Sequence, residues 1–201
     1  MTMRHAIDSR SDHDTMARSE LILGGQKSGK SRRAELLARQ WLAEHPAHRA
    51  ALIATGQPWD DEMRERIARH QRDRAERVPG LDTLEEPRAV GELIAARSDA
   101  NTLLIVDCLT LWLTNWLMPV EAEGASRRDW GMQSAAFLHS VREAPGPVIL
   151  VGNEIGLGVI PMGREVRAFV DALGSLNQQV AGACARVTLM VAGLPLRLKD
   201  E

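Results

Sequence analysis

Cysteine is scarce in this chain. Its 201 residues hold two, Cys108 and Cys184, far apart and in neither a CxxC nor a metal-ligand spacing. That argues against a disulfide framework or a zinc ribbon and suits reduced, buried thiols in a cytosolic protein. An excess of one charge is also missing. Twenty-five basic residues face 27 acidic ones, for a formal net charge of −2, so the chain as a whole carries no electrostatic footprint for nucleic acid. Nor is there a long apolar run. The longest, "TLLIVDCLTLWLTNWLM", is broken by Asp107, Asn115 and three threonines, which leaves no transmembrane segment. The first residues, "MTMRHAIDSRSDHDTMAR", have no apolar core and no small-residue cleavage site, and do not read as a secretory signal. They are polar and rich in Ser, Asp and His. We expect residues 1–19 to form a disordered leader ahead of one domain over residues 20–201. No internal repeat interrupts that domain.

A chain of this length buries roughly 70% of its unfolded surface and needs no staples to hold a core. Apolar runs of strand length alternate with helical patterns. "LILGG", "AALIAT", "TLLIVD", "PVILVG" and "RVTLMVAG" read as strands. Between them, "SRRAELLARQWLAEH" places Leu36, Leu37, Trp41 and Leu42 on one side of a helix. "DDEMRERIARHQRDRAE" reads as a charged helix opening at Asp60 and Asp61, where carboxylates suit the helix dipole. Residues 88–98, 109–117 and 131–144 read as further helices. A long last one carries the stripe Val166, Phe169, Val170, Leu173, Leu176, Val180. "VPGLDTLEEP" reads as irregular, and residues 119–130 as an exposed connection. The alternation implies an α/β fold, a mostly parallel sheet with helices on both faces, whose ligands sit beyond the carboxyl ends of the strands.

The first strand runs into "GGQKSGKS". Gly24, Gly29, Lys30 and Ser31 satisfy GxxxxGK[ST], the loop of a P-loop NTPase. Glycines let successive N–H groups turn toward phosphate oxygens, and the following helix adds its positive end. Lys30 reaches the β- and γ-phosphates, and the Ser31 hydroxyl serves Mg²⁺. Such a fold places an acid at the end of a neighbouring strand for the metal's water shell, and "LLIVD" puts Asp107 there. Asp107 can equally cap the helix that follows.

Two further features need an explanation. Met63, Ile67 and His70 fall on one face of the charged helix, with Arg66 and Arg74 near its edges. A histidine there is either a core residue or a nucleophile able to carry a phosphoryl or nucleotidyl group, with arginines such as Arg66, Arg69, Arg72 and Arg74 to neutralise phosphates. After "PVILVG", Asn153 and Glu154 stand at a strand end before Gly156 and Gly158. They form either a capped turn or a pair suited to a γ-phosphate or an acceptor hydroxyl. His5, His13, His45, His48 and His139 lie in terminal, polar or ordinary helical contexts.

"GGQKSGKSRRAE", "LIATGQPWDDEMRERIARHQRDR", "TLEEP", "LLIVDCLTLWLTN", "VILVGNEIGLGVIPMGREVRAFVDALGSLNQQVA" and "VTLMVAGLPLRLK" together resemble the bifunctional adenosylcobinamide kinase / adenosylcobinamide-phosphate guanylyltransferase family, over about residues 20–199. The resemblance implies a RecA-like P-loop fold in a cytoplasmic enzyme of cobalamin biosynthesis. It implies GTP, ATP and Mg²⁺ as cofactors, and a homo-oligomer, a trimer, with sites between subunits. It makes His70 the residue that carries a covalent GMP. Nucleotide contacts carry over to Gly24, Gly25, Gln26, Lys27, Ser28, Gly29, Lys30 and Ser31, and to Thr55, Gly56 and Gln57. They extend to Gln71, Arg72, Asp73 and Arg74, where "HQRDRAE" departs from the family's "HKDGRP"-like run, and to Glu85 and Asp107. The implied chemistry has two stages. A γ-phosphate passes to the hydroxyl of adenosylcobinamide, with Lys30, Ser31 and Asp107 around it. His70 then takes GMP from GTP and passes it to adenosylcobinamide phosphate. A simple small-molecule kinase with a structural His70 is one alternative, and a non-catalytic nucleotide-binding module is another.

Overall fold

In the computed structural model, which describes residues 16–58, 61–118 and 127–201 without the side chains of residues 62, 63, 66, 70, 127 and 128, the first apolar run is strand β1 (Ser19–Gly24), buried along its whole length. Successive strand side chains point to opposite faces. Leu21 and Leu23 accordingly enter one core cluster and Ile22 the other. The remaining elements, in chain order, are α1 (Lys30–Glu44), β2 (Arg49–Ala54), α2 (Asp61–Arg77), β3 (Leu81–Glu85), α3 (Val90–Arg97), β4 (Thr102–Asp107), α4 (Leu109–Leu117), α5 (Arg127–Glu143), β5 (Val148–Val151), α6 (Arg164–Ala183), β6 (Arg186–Val191) and β7 (Leu194–Asp200).

The seven strands form one sheet in the order β3-β2-β4-β5-β1-β6-β7, parallel except for the β6–β7 pair. Near-continuous apolar runs fit strands covered on both sides. One cluster holds Leu104, Val106, Val148 and Leu150 with Ile94, Trp112, Phe137 and Leu176 from α3, α4, α5 and α6. The other holds Leu52, Leu103, Ile105 and Ile149 with Ala34, Leu37 and Ala38 of α1. The expected α/β architecture with helices on both faces is therefore present.

Several local expectations need correction. "LDTLE", read as irregular, is edge strand β3, largely exposed and paired only with β2. β7 was not anticipated, although Ala192 and Gly193 at its start both have positive φ, the two-residue turn that a twisted hairpin favours. Of the connection expected over 119–130, residues 119–126 lie outside the described residues, and α5 already begins at Arg127. The strand that ends in Asp107 is also not beside the strand that enters the loop, because β5 lies between β4 and β1. On α1, Leu37 is buried as expected but Leu36 is exposed. Helix α2 runs on to Arg77, and its expected first residue, Asp60, lies outside the described residues.

Residues 1–15 of the expected leader also lie outside the described residues. Its far end does not hang free. Met16 packs against the second core cluster, the Arg18 guanidinium donates to the Arg142 carbonyl at 2.7 Å, and the Arg18 carbonyl accepts from Val148 N–H at 3.0 Å. Removing residues 1–18 should therefore cost about 1–2 kcal/mol, a fall in Tm of about 2–8 °C for a domain of this size. Calorimetry on that truncation and on one lacking only residues 1–15 checks this; equal melting temperatures would show these contacts to be worthless.

Candidate active site

Strand register brings the proposed site residues to one rim. Glu85 of β3 is the cross-strand partner of Ala54 in β2, Ala54 of Asp107 in β4, and Asp107 of Val151 in β5. Val151 pairs with Ile22 of β1, two residues before Gly24. Thr55–Gln57, Asp107, Asn153–Glu154 and the Gly24–Ser31 loop thus all leave the carboxyl edge of the sheet, where ligands bind in open α/β sheets.

The loop itself is closely hemmed in. A Cβ on Gly24 would lie 2.5 Å from the Met190 carbonyl oxygen and 2.6 Å from Ser28 Oγ, and one on Gly29 would lie 3.3 Å from Gly193 Cα. Gly29 (φ 101°) and Lys27 (φ 54°) take left-handed conformations. The tip of the β6–β7 hairpin is hydrogen-bonded to the loop, Gly193 N–H to Ser28 O at 3.0 Å, and Glu154 N–H ties the end of β5 to Gly24 O at 3.1 Å. Ser28 Oγ is buried and has no hydrogen-bond partner among the described residues. A buried hydroxyl in that state suits a cradle built for an anion.

Lys30 is the first residue of α1 and only 8% exposed. Its Nζ donates to Gly25 O at 2.6 Å. Burial pushes its pKa below the usual lysine value, against the opposing pull of Cys108 and then Asp107. Burial, followed by the Asp107 charge, pushes the Cys108 thiol up to about 11. Cys108 therefore stays a neutral thiol at ordinary pH and does not compete as a nucleophile. Asp107 is half-buried at the end of β4. Ser31 follows Lys30, half-buried. A hydroxyl and a carboxylate are hard oxygen donors of the kind Mg²⁺ takes alongside phosphate and water.

Buried amides and hydroxyls hold the rim; sequence reasoning named Thr55 only as a nucleotide contact and Asn115 only as a break in an apolar run, and passed over Thr110 and Asn177. Thr55 Oγ1 donates to Cys108 O at 2.8 Å and accepts from Cys108 N–H at 2.9 Å, locking β2 to β4. Asn115, 1% exposed, donates to Thr55 O at 2.7 Å and Pro87 O at 2.9 Å. Asn177 on α6 donates to Asn153 O at 3.1 Å, while Thr110 Oγ1 accepts from Asn153 N–H at 3.1 Å. For Asn115 the available signal was an amide set inside an apolar helical stripe, which has no reason to be there unless it is paired.

His70 lies on α2, but its side chain, like those of Met63 and Arg66, lies outside the described residues. The half-buried Ile67 side chain reaches toward Gly56, its Cδ1 4.0 Å from where a Cβ there would sit. Gln71 Nε2 donates to Glu85 Oε1 at 3.3 Å, so those two expected residues do meet. Arg72 is exposed, and Asp73 and Arg74 are half-buried.

A family model described as cobinamide kinase / cobinamide phosphate guanyltransferase matches residues 20–198. The chain belongs to this family. The bifunctional adenosylcobalamin biosynthesis protein CobP of Pseudomonas aeruginosa is 47% identical over 183 residues, covering 90% of this chain and 98% of that protein. The protein of that description named CobU in Escherichia coli is 33% identical over 188 residues, covering 89% and 98%. Among solved structures, the flagellar accessory protein FlaH of Methanocaldococcus jannaschii superposes with a TM-score of 0.51 at 12% identity, covering 92% of this chain and 80% of that one. That likeness concerns the fold alone, and agrees with the P-loop architecture. Membership in the cobinamide kinase / guanyltransferase family makes this chain a nucleotide-using enzyme of adenosylcobalamin biosynthesis. No helix among the described residues is long and apolar enough to cross a membrane.

The hemmed position of Gly24 yields a test of the cradle that needs no substrate. Gly24→Ala must push against a backbone carbonyl and Ser28 Oγ. We expect a loss of about 1–3 kcal/mol, as for overpacked sites, read as a lowered denaturant midpoint. An unchanged midpoint would mean that the loop relaxes freely.

Proposed function

We propose that this chain carries out both reactions of its family at the rim described above. In the first, the hydroxyl of adenosylcobinamide attacks the γ-phosphorus of ATP or GTP, the bond to the bridging oxygen breaks, and the nucleoside diphosphate leaves. Lys30 and the loop N–H groups stabilise charge on the transferred group. Ser31 and Asp107 would hold Mg²⁺, which when bound neutralises charge on the phosphate oxygens. In the second, a neutral nitrogen of His70 bonds to the α-phosphorus of GTP and pyrophosphate leaves. The phosphate of adenosylcobinamide phosphate then displaces the imidazole, giving adenosylcobinamide-GDP. Gly24–Ser31, Thr55–Gln57, Gln71–Arg74 and Glu85 are the proposed nucleotide contacts.

The observation that carries this reading is the family match over residues 20–198, joined to a rim on which Gly24, Ala54, Glu85 and Asp107 share one sheet edge. We place the enzyme in the cytoplasm as a homo-oligomer, a trimer. The apolar residues Val191, Leu194, Leu196 and Leu198 on the exposed β6–β7 edge support self-association. Light scattering that returned a monomer mass at working concentration would refute the trimer.

Two substitutions separate the chemistries. Lys30→Ala removes a charge contact that strengthens in the transition state, so cobinamide phosphorylation should fall by about 10²-fold or more in a protein that still folds. His70→Ala should abolish label transfer from α-labelled GTP to protein while cobinamide phosphorylation persists, because the substrate hydroxyl attacks directly. In the wild type the adduct should be acid-labile and alkali-stable, as a phosphoramidate is. Wild-type labelling of the His70→Ala protein, or an adduct mapped elsewhere, would show that His70 is not the nucleophile. An unlabelled wild type would favour a simple kinase.

A further inference from the structure

Helix α2, which carries His70, shows no buried apolar side chain among its described residues, in contrast to α1, which buries Ala34, Leu37 and Ala38. Beyond the Ile67 contact with Gly56, polar links hold α2 to the rest of the fold. Gln71 reaches Glu85 at its middle, and Arg77 reaches Glu35 of α1 at its C-terminal end. Arg77 stands seven residues after His70. That is close to two helical turns, so the two positions share a face of α2. Glu35 stands five residues after Lys30 on the helix that begins at the phosphate loop.

Glu35 is an expensive choice for a stability role. It is 4% exposed. Arg77 Nη2 donates to Oε1 at 3.2 Å, and Arg77 Nε sits 2.9 Å from Oε2 but misaligned, so that Oε2 is buried with no hydrogen-bond donor among the described residues. Arg74 Nε, on the next turn of α2, is likewise buried without an acceptor. Burial raises the Glu35 pKa, against the pull of Arg77 and then Arg74. The Arg77 side chain is 45% exposed, and a buried carboxylate paired with such a partner and incompletely satisfied contributes little to stability.

We infer that Glu35 is a positioning residue for guanylyl transfer: through Arg77 it seats the His70-bearing helix on the helix that holds the phosphates. The inference rests on the reading of His70 as the nucleophile. Val78, just past the end of α2, is buried in the second core cluster, so the Glu35–Arg77 link adds to an anchor at that end and sets how the helix turns about it; a nucleophile displaced by about 1 Å loses about 10²-fold in rate. The γ-phosphoryl transfer depends on Lys30 and the loop, whose geometry does not pass through Arg77.

The test follows the rate of label transfer from α-labelled GTP to the full-length protein, cobinamide phosphorylation with ATP, and Tm, for the wild type, Glu35→Gln, Arg77→Lys and the double variant. We expect Glu35→Gln to slow labelling by about 10–100-fold while the kinase kcat/KM stays within about threefold, a change too small to signal a lost transition-state contact, and Tm holds or rises. Arg77→Lys, which keeps the charge, should fall between, and the double variant should be no slower than Glu35→Gln, as for residues acting through one link. Wild-type labelling rates in folded Glu35→Gln and Arg77→Lys, or parallel loss of both activities, would overturn the inference. Should Glu35→Gln fail to fold, Arg77→Lys decides by the same comparison. A wild type that takes no label would instead overturn the His70 reading, and this inference with it.

Discussion

Room is the constraint on which this site depends. The Met190 carbonyl stands where a side chain on residue 24 would begin, and the hairpin tip at Gly193 is hydrogen-bonded to the loop at Ser28. Strand β1 therefore delivers the chain into a space bounded by β6 on one side and by the end of β5, through Glu154, on the other. Only a glycine fits at that exit, and the turn it permits lets the following N–H groups converge. A loop built this way suits phosphate held by backbone N–H groups.

The side chains around the loop need a rigid rim, and the rim is stitched by polar groups inside the fold. Thr55 satisfies both the N–H and the carbonyl of Cys108. One amide, Asn115, spans the ends of two segments, and another, Asn177, fixes Asn153. Buried polar groups that are paired cost little and specify one arrangement, although Asn177 Oδ1 is itself buried without a partner among the described residues. The end of β2, the acid of β4 and the turn after β5 are thereby held in fixed relation, although they come from distant parts of the chain. By contrast, α2 is joined to this rim by exposed or half-satisfied polar contacts. None of the described side chains of α2 enters the hydrophobic core.

Much of this was legible in the amino-acid sequence where a physical rule acts locally. The apolar runs of β1, β4 and β5 are buried on both faces, so each announces itself without its neighbours. GxxxxGKS between a strand and a helix carries its own geometry. What escaped was set by partners remote in sequence. β3 is a strand only because β2 offers it an edge; "LDTLE" has too little apolar content to declare one. β7 contains Pro195, which argues against a central strand but is tolerated at an antiparallel edge. The intervention of β5 between β4 and β1 is a matter of strand order, which alternation alone does not supply. Asn115 looked like an interruption of an apolar run because its acceptors belong to other segments. Asn177 and Glu35 carry no local mark, since what each meets, Asn153 and Arg77, lies elsewhere in the chain.

Two reactions at one phosphate loop impose opposite demands. Transfer of a γ-phosphate needs a preorganised positive environment that does not move, and Lys30, buried and held against the loop by Gly25 O, meets that need. On the proposed reading, guanylyl transfer instead needs a protein nitrogen at the α-phosphate of a second nucleotide, GTP, on a group that later releases its adduct to another substrate. Anchoring that group in the hydrophobic core would fix it too firmly for both approach and release. A charged helix tied to the phosphate-binding helix by a buried carboxylate reconciles the two, because a polar link positions the helix at small net cost in stability. On that reading, the half-satisfied glutamate inside α1 is the link that sets where the nucleophile-bearing helix stands relative to that rigid loop.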